Sequence, residues 1–214
     1  MRILTVDTSD RSIVGLVSFE GGVFAEESSY RAPDARRHVE ALAPAVERVT
    51  AGARPDAVVV GTGPAAFTGL RAGLVTARAL ARGWGVPVYG VSSLEALALG
   101  VGEGDVLAAI DAKRRELFVL RARPMGADDV SVLSGPRIVA PEALPGILRA
   151  EPAVVATPDP GLHPELAGAL QAVCEPVPMA RLALSRLRRS QAGEDVCLGT
   201  APQYLRRPDV HGGR

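Results

Sequence analysis

Cysteine is scarce in this 214-residue chain, and the scarcity excludes a great deal. Cys174 and Cys197 are too few for a disulfide scaffold and too far apart for a C-x-x-C zinc pair. Both read as buried thiols, because free cysteine behaves as a small core hydrophobe. The three histidines, His38, His163 and His211, are scattered, and no two sit at ligand spacing, so no metal site is expected. Asparagine is absent, which removes N-glycosylation and any catalytic asparagine. Net charge is missing too: 24 Lys and Arg balance 24 Asp and Glu, so only a local patch can attract a nucleic acid or an acidic partner. There is no long apolar run. The longest uncharged stretch, residues 57–70, falls short of the ~20 residues of a membrane span, and the opening Ile3-Leu4-Thr5-Val6 meets Asp7 before a signal-peptide core can form. A cytoplasmic protein with no membrane contact is the expectation.

What is present can build a core. Hydrophobic residues at 47% and charged residues at 22% match ordinary globular shares. Ile3–Val6, Ile13–Phe19 and Val23–Glu27 are β-prone, and Glu20-Gly21-Gly22 is a hairpin turn signal, so the chain opens as a meander. From Asp34 to Gly52 the apolar spacing of Val39, Leu42, Val46 and Val49 predicts a helix, with Pro44 kinking it. Ala57–Val60 reads as a strand buried on both faces, Phe67–Trp84 as a helix, Val86–Val91 as a strand and Ser93–Leu99 as a short helix. After the glycine-rich stretch 100–104 the βββαβα order returns in shorter form. Its strands are Val106–Ile110, Leu117–Leu120, Val132–Val139 and Ala153–Ala156, and its helices are Pro141–Arg149 and Leu162–Ala172. A last helix, Arg181–Ala192, precedes a tail expected to fray after Arg207. The expected organisation is an α/β chain of two lobes, residues 1–100 and a smaller 101–214.

Candidate chemistry sits at strand ends. Asp7-Thr8-Ser9 closes the first strand and Asp111 the first strand of the repeat. Such paired turns either cap strands or, facing across a cleft, hold a phosphate chain and its Mg²⁺. Gly61-Thr62-Gly63-Pro64 stands where phosphate loops stand, between a strand and a helix, but lacks the Gly-Lys-Ser/Thr ending. On the next helix Gly69, Gly73, Ala77 and Ala81 form a small-residue ridge flanked by Leu70, Leu74, Leu80 and Trp84. A mid-helix Gly73 calls for a close neighbour, from this chain or from a partner. Arg71, Arg78 and Arg82 read as a solvated face, and so do Arg186, Arg188 and Arg189, with an RNA-backbone contact the other reading of the last three.

The stretch Gly61-Thr62-Gly63-Pro64-Ala65-Ala66-Phe67-Thr68-Gly69-Leu70-Arg71-Ala72-Gly73 resembles the GxGPGSFTGLRxG segment of the bacterial TsaB (YeaZ) family. Val6-Asp7-Thr8-Ser9, the segment His38 to Pro44, Gly90 to Ala98, Asp111 to Phe118, and Pro202-Gln203-Tyr204-Leu205-Arg206 are similar as well, so the resemblance spans nearly the whole chain. It implies an actin-like (ribonuclease H-like) ATPase-superfamily fold. It also implies a non-catalytic role beside the TsaD paralogue, which transfers a threonylcarbamoyl group to the adenosine next to the tRNA anticodon. The ATPase TsaE completes that assembly, a homodimer is admitted when the chain is alone, and tRNA is met indirectly.

The resemblance places the partner interface on the two long helices, at His38, Leu42, Leu70, Gly73, Leu74, Ala77 and Ala81. Bulk or charge at Ala77 or Leu74 is then expected to block pairing while the subunit stays folded. Asp7, Thr8, Ser9 and Asp111 are the vestigial nucleotide-binding positions. Ala65 and Ala66 replace the family's Gly-Ser, and Arg115 replaces the glycine of the second turn; these residues resist the dihedrals glycine allows, so binding of Mg-ATP is expected to be weak or absent. Where the paralogue carries two metal-binding histidines, this chain has Ser93 and Leu97, and neither can replace an imidazole ligand. No catalytic residue, metal or cofactor is therefore expected. The other class of function is a stand-alone superfamily enzyme, a small-molecule kinase or a metallopeptidase-like hydrolase, which would need the intact turns or the metal ligands.

Overall fold

The structure is a computed structural model that describes residues 1–33 and 38–206; the side chains of residues 38–41 lie outside that description. The chain runs β1 (Arg2–Asp7), β2 (Ile13–Glu20), β3 (Val23–Arg31), α1 (His38–Thr50), β4 (Ala57–Gly61), α2 (Phe67–Trp84), β5 (Val88–Val91) and α3 (Ser93–Val101). It then repeats as β6 (Val106–Lys113), β7 (Glu116–Met125), β8 (Asp129–Val139), α4 (Leu144–Ala150), β9 (Val154–Thr157), β10 (Leu170–Gln171) and α5 (Pro176–Gln191).

The duplication is visible in the sheets. One has the order β3-β2-β1-β4-β5 and the other β10-β9-β6-β7-β8, which is the same order read from the opposite edge. Pairing agrees strand for strand: β1–β2 and β2–β3 are antiparallel, as are β6–β7 and β7–β8, while β4 and β9 add in parallel to β1 and β6.

Strand alternation sorts side chains into layers. Leu4, Val6, Val58 and Val60 face α1 and α2, with Leu42, Val46, Leu70 and Leu74 packed on them. Ile3 and Val59 face the other way, into a central layer where α3 and α5 supply Leu94, Leu97, Met179 and Leu182 and the second sheet supplies Ala108, Ile110 and Leu120. Leu107 and Val119 turn outward again, under Leu144 and Leu166. Both sheets are thus covered on both faces, which is why β1 and β4 read as near-continuous apolar runs.

Helix ends follow ordinary chemistry. α2 stops at Gly85, whose left-handed φ of 64° lets its N–H cap the carbonyls of Ala81 and Arg82. Several boundaries differ from the sequence expectation. The helix expected at Leu162–Ala172 is a single 3-10 turn, Pro164–Leu166, followed by β10. Gly168, at φ +90°, breaks the apolar spacing that mimics a helix there. α5 begins at Pro176 rather than Arg181, because proline is tolerated in the first turn, where its missing N–H has no helical partner. β5 begins at Val88 rather than Val86. The tail expected to fray lies outside the described residues, and so does the expected helix start at Asp34.

Candidate functional site

Asp7 and Asp111 do occupy corresponding turns. Asp7 pairs with Ile13 at the close of β1–β2, and Asp111 pairs with Leu117 just before the Lys113–Glu116 pair that closes β6–β7, so each carboxylate stands opposite the residue six positions on. Their surroundings differ. Asp7 is 1% exposed, and its oxygens are already engaged. Oδ1 accepts from the Ser9 N–H at 2.9 Å and the Ser9 hydroxyl at 2.5 Å, and Oδ2 accepts from the Ser93 hydroxyl at 2.6 Å. The buried Cys174 thiol is a further hydrogen-bonding neighbour. Gly61 closes over the carboxylate so tightly that a Cβ there would stand 1.8 Å from Asp7 Oδ2.

Burial pushes the Asp7 carboxyl above its ordinary value, against the downward pull of Ser9 and Ser93. Burial also raises the Cys174 thiol well above its usual value, and the nearby Asp7 adds to this. A carboxylate turned inward on three hydroxyl and thiol donors does not fit a magnesium ion. Thr8 is equally committed: its hydroxyl donates to the Gly69 carbonyl at 2.8 Å. Ser9 is buried against Asp7.

Asp111 lies nearer the surface, with its side chain 19% exposed, and accepts from the Lys113 N–H at 2.7 Å and Lys113 Nζ at 2.6 Å. The turn it begins is unusual. Lys113, Arg114 and Arg115 adopt φ of 62°, 58° and 58°, a left-handed region that non-glycine residues enter uncommonly. Arg115 therefore does occupy a glycine-like conformation. The alanines of the first loop do not: Ala66 has φ −61° and ψ 135°, and the positive φ there belongs to Gly63, at 89°.

Ser93 and Leu97 are both fully buried. Ser93 also accepts from the Gly63 N–H at 3.3 Å, while Leu97 sits in the layer between the sheets. Among the described residues no group of three or more His, Cys, Asp or Glu is placed to hold a metal ion.

The nominated interface residues lie in the chain's own core. Leu42, Leu70, Leu74, Ala77 and Ala81 are all no more than 3% exposed and pack on β1 and β4. Gly73 has its close neighbour within the chain, since a Cβ there would meet Thr8 Oγ1 at 2.3 Å. The side chain of His38 lies outside the described residues. The small-residue ridge is thus the seat of Thr8 and the sheet, and the open positions of the same helices include Ala43, Pro44 and Glu47 on α1 and Val75 and Ala79 on α2.

Two further expectations are corrected. Cys197 is exposed, unlike Cys174. Arg186 is not a solvated residue: its side chain is 13% exposed and pairs with Glu95 of α3 and Asp129 of β8. Arg71 and Arg78 are exposed, as expected of a solvated face, and also hold down the segment after α5. Arg78 donates to the Thr200 hydroxyl at 2.9 Å, and Arg71 donates to the Tyr204 hydroxyl at 2.8 Å. That segment also accepts from the Gly90 N–H through Leu198 and donates to the Thr62 carbonyl through Gln203, both at 2.9 Å. The Pro202 to Arg206 motif was the only sequence signal for it.

A pocket of about 160 Å³ lies where the strap formed by the segment after α5, the loop before α2 and the β6–β7 turn meet; Phe67, Lys113, Arg114, Phe118, Tyr204 and Arg206 are among its walls. Neither Asp7 nor Asp111 lines it.

Residues 19–169 match the family model described as TsaD, tRNA N6-adenosine threonylcarbamoyltransferase. An uncharacterized Mycobacterium leprae protein is 35% identical over 97% of this chain and 55% of its own length. The Escherichia coli tRNA threonylcarbamoyladenosine biosynthesis protein TsaB is 35% identical over 55% of this chain and 53% of its own. The chain thus spans about half the length of these relatives. The structure of YeaZ from Pseudomonas aeruginosa superposes with a TM-score of 0.72 at 24% identity, covering 95% of this chain and 99% of that one, and so shares the fold.

Proposed function

The chain belongs to the TsaB (YeaZ) family, built on the actin-like fold of the TsaD-type proteins, and from that premise we propose a non-catalytic subunit of tRNA threonylcarbamoyladenosine formation. Its partner is a TsaD-type transferase, with a TsaE-type ATPase in the larger assembly. The observation that carries the non-catalytic part is the Ser93 to Asp7 hydrogen bond of 2.6 Å. Ser93 stands at one of the two positions that carry imidazole ligands in the transferase, and here its hydroxyl seals the carboxylate that a metal-bound nucleotide would need. Leu97, at the other position, is core.

Because the small-residue ridge is filled from within, the pairing surface is the open side of the two outer helices. Val75, 63% exposed on α2, is a large apolar residue on that side. An exposed valine beside Ala79 offers the low-relief apolar seam along which helices pack. The two lobes, residues 1–100 and 101–214, act as one body in this scheme, with α5 between the sheets. No helix among the described residues is long and apolar enough to cross a membrane.

The test is reconstitution. The transferase with its ATPase is assayed for threonylcarbamoyladenosine in tRNA by nucleoside mass spectrometry, with and without this chain. The expected result is product only when both the transferase and this chain are present, with less than a tenth of an equivalent of bound metal in this chain. Product formed by this chain without the transferase, or about one bound metal per chain, overturns the non-catalytic reading.

A further inference from the structure

We propose that the pocket against the β6–β7 turn takes one unpaired nucleotide without a metal ion, its base among aromatic rings and its phosphate on the cationic turn. The choice of RNA as the source rests on the tRNA-modification reading above; the recognition chemistry does not.

The turn presents Lys113, the single lysine of the chain, with Arg114 and Arg115, and all three are exposed. All three also hold left-handed backbone, φ 58° to 62°. Strain of this kind persists where the surroundings over-determine it, and it clusters at ligand clamps. Arg206 of the strap adds a fourth cation from the opposite wall. Carboxylates answer part of this charge. Asp111 pairs with Lys113, whose side chain is 64% exposed, and Glu116 pairs with Arg206. Exposed pairs of this sort give way at little cost to a phosphate.

The apolar side of the pocket is aromatic. The rings of Phe67 and Tyr204 lie 5.0 Å apart at 32°, Phe118 lines the same space, and the Arg71 guanidinium stacks 3.6 Å from the Phe67 centroid. Aromatic and guanidinium planes are what proteins use to stack unpaired bases, with basic groups on the adjoining phosphate. Composition then argues against a triphosphate with its metal: among the described residues no carboxylate lines the pocket to hold magnesium.

The experiment uses the full chain in magnesium-free buffer with three probes: an unstructured eight-nucleotide RNA, a fully paired duplex of the same length, and AMP. Anisotropy or calorimetry reads binding, and mass spectrometry reads protection of Lys113 from acetylation. Single-stranded RNA is expected to bind and to protect Lys113. The Lys113→Glu/Arg114→Glu variant, altered only at exposed positions, is expected to stay folded by circular dichroism and to bind at least tenfold more weakly. Its salt dependence should be shallower by about one unit of slope per cation removed. AMP binding with the same loss supports the pocket with a free mononucleotide as its source. Equal affinity for the duplex, binding unchanged in the variant, or no binding of either the single-stranded RNA or AMP by the folded chain overturns the proposal. Co-elution with the transferase is scored separately on the same proteins. A wild-type chain that fails to pair sinks the subunit reading and leaves the pocket's result standing.

Discussion

Thr8 stands where the β-carbon of Gly73 would be: a Cβ built on that glycine meets Thr8 Oγ1 at 2.3 Å and Thr8 Cγ2 at 3.1 Å. The same hydroxyl donates to Gly69, one turn earlier on α2, so the end of β1 is keyed into the helix. Gly73→Ala is therefore expected to destabilise the chain by about 1–3 kcal/mol, the usual cost of overpacking. This outweighs the roughly 0.5–1 kcal/mol that alanine gains in a helix interior. Adding Thr8→Ala should recover a large part of that loss, and urea denaturation of the two single variants and the double variant measures the coupling.

Asp7 sets a pH dependence opposite to that of an exposed, salt-bridged carboxylate. Burial raises its pKa in the folded chain above the unfolded value, so between the two values the folded state binds more protons than the unfolded one. Its contribution is then most favourable below the ordinary carboxylate range and declines as pH rises through the folded value. Asp7→Asn keeps an acceptor for Ser9 and removes the titration. The stability of the variant minus that of the wild type should increase from pH 4 upward and then level off. A difference that is flat with pH, measured by urea denaturation, contradicts this.

Local order was legible where one physical rule governed a segment. Phe67–Trp84 matched its helix at both ends because its apolar period ran unbroken to a left-handed glycine, Gly85. Leu162–Ala172 misled because Leu162, Leu166 and Leu170 keep a helical spacing across Gly168, whose backbone cannot continue the helix. The site was legible only as a set of positions. That Asp7 closes β1 follows from the strand pattern, but its sealing depends on Ser93, 86 residues away, and on the missing side chain of Gly61. Likewise nothing local marks Arg71 as a clamp, because its partner Tyr204 is 133 residues distant. Long-range contacts of that kind give an exposed face a structural role that its own segment does not announce.

The two sides of α2 should separate folding from pairing. Val75 is 63% exposed and Ala77 is fully buried, although they are two residues apart. Val75→Arg is expected to leave circular dichroism and the melting temperature unchanged and to weaken co-elution with the transferase at least tenfold. Ala77→Arg places a long cation in the layer over β1 and β4 and is expected to unfold the chain. A folded Ala77→Arg variant, or a Val75→Arg variant that co-elutes normally, would move the pairing surface elsewhere.

Arg186 ties three elements together, and the consequence is energetic. Its guanidinium on α5 pairs with Glu95 of α3 and donates to Asp129 of β8 from Nε at 3.2 Å and Nη2 at 3.1 Å. The side chains of Arg186, Glu95 and Asp129 are only 13%, 13% and 6% exposed. Removing one partner from such a group leaves buried charge uncompensated, a loss of about 3–5 kcal/mol in comparable pairs. Arg189 still reaches Asp129 at 2.8 Å, so Glu95 is the residue left without its cation, and the lower end of that range, about 3 kcal/mol, is expected for Arg186→Leu. Arg31 provides the control. It pairs with Glu175 across the surface, with side chains 42% and 37% exposed, where screening by solvent leaves such a pair worth about 0–1 kcal/mol. Arg31→Leu should therefore change the urea midpoint little, whereas Arg186→Leu should lower it clearly. Adding Glu95→Leu to Arg186→Leu removes the stranded charge and should recover part of the loss. Equal effects of the two arginine substitutions would mean that the bridge between α3, β8 and α5 contributes no more than a surface contact.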